Sequence, residues 1–182
     1  MAHRVLDLMK RLNRWVAMVI GVLLLACVCF ILTEIFVRQL GSSLGGTDEI
    51  SGYVMAIATS WGMGFALLEL SHVRIDILRL QAKALGRCLF DLMAMAVMAT
   101  TVTVVAYRCW PVLERSLMNG SRANTPLETP LALVQLPWFA GWAWFAIVSL
   151  VTLWAALVMV LRGDYAGSEA AIGTLAEGEA SQ

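Results

Sequence analysis

The chain has 182 residues, of which 60% are apolar or aromatic and 14% are charged, and its mean hydropathy is +0.77. Soluble chains carry about 25% charged residues, so a water-soluble globule of this composition would expose large apolar patches, and the class that fits is an integral membrane protein. Thirteen basic residues offset thirteen acidic ones, with two histidines; nothing here favours a nucleic-acid partner, and haem or multi-histidine metal chemistry lacks its ligands.

At the start of the chain, Val5, Leu6, Leu8, Met9 and Leu12 share a broad face with Arg4, Asp7, Lys10 and Arg11 mostly opposite. Two readings stay open for residues 2–13: a short helix lying in the headgroup interface, or a frayed basic tail. Next comes Trp15–Val37, the first of four runs that reach the roughly 20 residues needed to cross about 30 Å of hydrocarbon. The others are Ile50–Leu70, Leu89–Val112 and Pro137–Leu161. In lipid each segment must satisfy its own backbone, and the alternation of a membrane barrel is missing, so the spans are helices. The first run continues for ten mostly apolar residues past Cys27, which makes it an uncleaved anchor rather than a signal peptide.

Glu34 and Arg38, four residues apart, share a helix face and can pair. A tight connection with Gly41, Gly45 and Gly46 follows. Thr47 or Asp48 is then placed to cap the second span, and Asp48 and Glu49 suit its positive N-terminal end. Arg108 lies about 20 residues into the third run, near the same rim. The expectation is one rim cluster of Glu34, Arg38, Asp48, Glu49 and Arg108, read either as a polar lock or as solvated interfacial charge.

Along the second span Gly52, Ala56, Ser60 and Gly64 recur every four residues, a small-residue ridge that permits close approach of another helix. Trp61 and Trp154 lie too deep for an interfacial belt and are read as filling helix contacts. The loop His72–Arg87 alternates polar and apolar residues in a second interfacial pattern, and Glu69 and Asp91 stand where they can pair with its basic residues. Cys27 and Cys29 diverge on a helix, and Cys88 and Cys109 sit at opposite ends of one, so the cysteines are small apolar fillers. Leu113–Leu136 reads as a loop ordered by turns, Pro137 as the first residue of span four, and no span is expected to carry an interrupting proline. Residues 163–182 are acidic and small and are expected to be disordered. The domain division is therefore a four-helix membrane domain, 1–162, and a tail, 163–182.

Nine Lys and Arg residues lie on the side of both termini and three on the other, which places the termini in the cytoplasm. Stretches 16–33, 54–68, 92–107 and 138–161 contain no Asp, Glu, Lys, Arg or His. Ions and polar solutes need partners near the midplane, so conduction is assigned to a companion chain. The nucleotide-binding G-x-x-x-x-G-K-[ST] loop is also missing.

These features together resemble the small membrane subunit of tripartite ATP-independent periplasmic transporters, the DctQ-like family, over residues 10–161. The resemblance rests on the four-span plan, on Arg38 closing span one, and on Asp48-Glu49-Ile50-Ser51-Gly52-Tyr53 opening span two. It also rests on His72-Val73-Arg74-Ile75-Asp76, and on Thr129-Pro130, Pro137-Trp138 and Gly141-Trp142 before span four. The glycine-rich 41–46 loop departs from the family pattern, which places a bulky residue nearer the acidic pair.

The resemblance implies an all-α scaffold subunit in the bacterial inner membrane that conducts nothing itself. Its partners would be a large many-spanned subunit holding the sodium and substrate sites, a periplasmic substrate-binding protein for small organic carboxylates, and membrane lipids. Arg38, Asp48, Glu49 and Ser51 at the outer rim, and His72, Arg74 and Asp76 at the inner one, would have structural or partner-contacting roles. No catalytic residue, cofactor or metal is expected in this chain, with sodium coupling left to the large subunit. Competing readings are the small subunit of a tricarboxylate-type tripartite transporter, a membrane redox-complex anchor, and a small exporter acting as an oligomer.

Overall fold

The computed structural model describes residues 2–72, 79 and 82–173. Four long helices, α1 (Ala2–Gln39), α2 (Thr47–Leu68), α3 (Ala84–Asn119) and α4 (Leu131–Leu161), are each long and apolar enough to cross a membrane. A short helix, α5 (Tyr165–Ile172), follows. The protein is all-helical and multi-pass, as its hydropathy pattern requires.

Helix ends follow local chemistry. At the end of α1, Gly41 adopts φ 82 while the Ser42 N–H reaches the Val37 carbonyl (3.2 Å) and the Gly41 N–H reaches Arg38 (3.1 Å). This paired closure satisfies carbonyls that the helix leaves open. The same closure ends α4 across Gly163, while at the end of α3 the Gly120 and Ser121 N–H groups share the Ser116 carbonyl. At the end of α2 the position belongs to Leu70, with φ 53 and the Ser71 N–H bonded to the Ala66 carbonyl at 2.9 Å. A side chain there costs about 1–2 kcal/mol that a glycine would not.

α4 is the central element, touching α1, α2, α3 and α5. Its buried face is mostly small, with Gly141, Ala146, Ser149, Thr152, Ala155 and Ala156 beside the larger Phe145, Val148 and Met159. The Ser149 and Thr152 hydroxyls donate back to the Ala146 and Val148 carbonyls, so their polarity is internally satisfied. Phe145 and Val148 of this face form the main core with Leu67, Leu68, Met95 and Val102. α2 and α4 approach tightly at Gly141, where an added Cβ would lie 2.2 Å from Ser60 Oγ.

Several expectations are corrected. Residues 2–13 are neither a separate interfacial helix nor a frayed tail. They continue the first span without a break, because Ala2 and Leu6 bury against Ala155 and Met159 of α4. Two helices contain prolines, Pro111 in α3 and Pro137 in α4. α3 runs on to Asn119 with Leu113 and Ser116 buried on one face, and α4 starts six residues before Pro137. Part of the acidic tail is ordered: Asp164 caps α5 by accepting the Gly167 N–H (2.9 Å), and Ser168 and Ile172 are buried. Trp154 is half exposed on α4 rather than filling a contact, whereas Trp61 donates from Nε1 to the Pro137 carbonyl at 2.9 Å.

Candidate functional site

At the end of the bundle away from the termini, the two glutamates organise the connections. Glu34, 3% exposed, accepts the Ser43 hydroxyl (2.7 Å), the Leu44 N–H (2.8 Å) and Arg38 Nη2 (3.3 Å). One carboxylate thus holds the whole α1–α2 connection against α1 and leaves the Arg38 side chain 70% exposed. Glu49 accepts the Tyr53 hydroxyl at 2.6 Å one turn along α2. Thr125, Thr129 and the Leu127 backbone surround the same carboxylate from the α3–α4 connection. Its Oε2 is buried without a hydrogen-bond partner among the described residues, as is the Thr47 hydroxyl.

The two connections also touch directly. Gly46 (φ 68) begins α2, and Leu127 packs so closely that a Cβ at Gly46 would fall 2.3 Å from its Cδ1. This corrects the expected cap: neither Thr47 nor Asp48 bonds the helix start, because the close approach of Leu127 requires a left-handed glycine there. Asp48 stays exposed, and Ser51 turns its hydroxyl back to the Asp48 carbonyl (3.0 Å). Arg38, Thr47, Asp48, Glu49, Tyr53 and Thr125 line an open cavity of about 510 Å³.

The single rim cluster therefore divides. Glu34 with Arg38 serves one connection and Glu49 serves the other, while Asp48 faces outward. Arg108 is exposed on α3 and makes no ion pair among the described residues. The α2 ridge divides too: Ser60 and Gly64 are buried, but Gly52 and Ala56 are exposed. A Cβ at Gly64 would meet Asn13 Oδ1 at 3.2 Å and Trp144 at 3.6 Å.

At the other end, His72 stacks on Phe145 with ring centroids 6.3 Å apart. Arg74 and Asp76 lie outside the described residues. The strongest polar assembly there was not singled out from the sequence. Arg79, 8% exposed, grips Asp91, 2% exposed, through Nε (2.8 Å) and Nη2 (3.0 Å), and reaches Glu169 of α5 at 2.7 Å. The Asp91 carboxylate, working against burial, raises the pKa of the Arg79 guanidinium and keeps it charged. The pairing of Asp91 with the basic loop was legible; its third member was not, because Glu169 was read as part of a disordered tail.

Asn13 was likewise missed. It is fully buried, donates to the Met9 carbonyl (3.2 Å) and accepts Trp144 Nε1 (3.1 Å). His3 and Asp164 close the assembly at 3.0 Å. The Gly167 N–H, and then His3, lower the pKa of the Asp164 carboxyl. The four cysteines are free thiols, and no cluster able to hold a metal occurs among the described residues.

Spans without charged side chains at mid-depth, with polar groups spent on tying connections and helices together, define a multi-pass helical membrane protein organised for packing. The chain belongs to the family of the tripartite ATP-independent periplasmic transporters, DctQ component, whose model matches residues 27–159. It is thus a transporter's small membrane component and not an enzyme. In such systems the component works with a large membrane subunit and a periplasmic binding protein. Comparisons with curated proteins and with solved structures gave no match.

Proposed function

We propose that this chain is the stationary, non-conducting small subunit of a sodium-driven transporter for small organic carboxylates, bracing its large membrane subunit. It sits in the bacterial inner membrane with both termini in the cytoplasm. The observation that carries this reading is the surface of α1. Met18, Val22, Leu25 and Phe36 form an exposed apolar strip along a helix that buries little against its own chain. A strip of that kind suits packing against another membrane subunit. The charge-free middles of the spans support the non-conducting role, because a carboxylate cargo finds no cation there. Sodium and substrate binding fall to the large subunit.

At the outer rim, Arg38, Asp48 and Arg108 face outward for a partner, while Glu34 and Glu49 are committed to the chain's own connections. The decisive experiment is reconstitution. Liposomes holding this chain alone pass no labelled carboxylate, and those holding chain, large subunit and binding protein accumulate it with a sodium gradient. A photocrosslinker at Leu25 captures the large subunit. Carboxylate flux through vesicles containing this chain alone would overturn the proposal.

A further inference from the structure

Between α1 and α2 lies an open groove of about 410 Å³, lined by Trp15, Val19, Ile20 and Leu23 of α1 and by Ile57 and Trp61 of α2. The lining side chains are hydrocarbon or indole. The floor is rigid, because Trp61 is fixed by its bond to the Pro137 carbonyl.

The depth of the groove is informative. No charged residue occurs on α1 from Trp15 to Thr33, so Trp15 marks the hydrocarbon boundary on the side of the termini. From Trp15 to Leu23 the helix rises about 12 Å, against about 15 Å for half of a hydrocarbon core about 30 Å thick. α2 agrees: its charged end is Glu69, and Ile57 lies about 18 Å further in at the same rise per residue. The groove thus runs from the headgroup boundary toward the midplane and covers one leaflet.

Its mouth carries the right charge. Arg11 is exposed one helical turn before Trp15, on the same side of α1, and a guanidinium matches a phosphate geometrically. Lys10 and Asp7 face a separate cavity beside α5. The α2 wall ends on exposed Glu69, which repels a phosphate, and Arg14, also exposed, is turned by helical spacing further from the lining residues, so the contact falls to Arg11.

We infer that this groove is a phospholipid site for the leaflet on the side of the termini, holding one acyl chain, with the phosphate on Arg11. The inference rests on the multi-pass reading of the chain and not on its partnership, so it is tested on the full chain by itself. Native mass spectrometry of the chain purified in mild detergent from bacterial membranes is expected to show one phospholipid that survives delipidation.

Val19→Trp fills the groove from an exposed position and is expected to remove that lipid. Val22→Trp, on the neighbouring open strip, is expected to keep it, and Arg11→Glu to lower retention at least fivefold. In membranes, a photocrosslinker in place of Ile20 is expected to label phospholipid. No retained lipid in the parent chain, equal retention in Val19→Trp, or crosslinking of Ile20 to a protein instead of lipid would each overturn the inference. Failure of the Leu25 crosslink to the large subunit, with lipid retention intact, would strike only the scaffold reading.

Discussion

Of the 18 most apolar consecutive residues of α1, 6% are buried, whereas 44% of the corresponding stretch of α4 are. Yet α1 is the more apolar helix, with a mean hydropathy of 3.0 in that stretch against 2.4. In water the greasier helix would take the centre. In lipid, hydrocarbon outside competes equally with hydrocarbon inside, and the central place goes to the helix that can be approached most closely. α4 qualifies through its glycine, alanines, serine and threonine. α1 presents valines, leucines, a tryptophan and a phenylalanine outward instead.

The contrast can be broken hardest on the packed side. Arg79→Met removes the guanidinium that grips buried Asp91 through two bonds, and loss of one partner from a buried pair costs about 3–5 kcal/mol. Unfolding by SDS titration in mixed micelles is expected to show that loss, and Asp91→Leu in the same chain is expected to recover most of it. Next in size is a pair of glycines. Gly141→Val drives a side chain into Ser60 and is expected to cost about 1–3 kcal/mol, while Gly21→Val on α1 meets nothing within 4 Å. Equal destabilisation by the two would erase the distinction between the helices.

A smaller effect sharpens the boundary within α1 itself. Asn13→Leu removes the acceptor of the Trp144 indole and is expected to cost about 1 kcal/mol, in the range of hydrogen bonds between membrane helices. Leu12→Ala, on the exposed side of the same turn, is expected to leave stability unchanged. The smallest effect concerns pH. The folded pKa of Asp164 lies below its ordinary value of 3.8, so its capping of α5 is fully present above that value and is lost as pH falls through the lowered one. Hydrogen exchange of residues 165–172 is expected to quicken below pH 3.8, and Asp164→Asn to remove that dependence.

The four spans could be read from hydropathy because runs of about 20 apolar residues have few other uses. The spans read as ending at Val37, Leu70 and Leu161 stop within two residues of the observed ends of α1, α2 and α4, but the third was ended at Val112 whereas α3 runs to Asn119, because its last turns carry Glu114, Arg115 and Ser116 and fall outside an apolar run. Of the α2 ridge, Ser60 and Gly64 are buried and Gly52 and Ala56 are not, and the small residues of α4 escape such a pattern because they are spaced irregularly among large ones. At the rim, Glu34 with Arg38 was legible as a four-residue spacing. The allegiance of Glu49 to Thr125 and Thr129 was not, since sequence spacing says nothing about which loop folds over which. Asn13 and Glu169 escaped because each takes its meaning from a partner far along the chain.

The contact between His3 and Asp164 joins residues 161 positions apart. Ribosomes add roughly 5–20 residues per second, so the opening turn of α1 waits on the order of ten seconds or more after synthesis before its docking surface exists. During that interval Ala2 and Leu6 are uncovered. A nascent chain stalled before α4 keeps them uncovered, so the burial of Ala2 and Leu6 marks a chain that has been made through Met159.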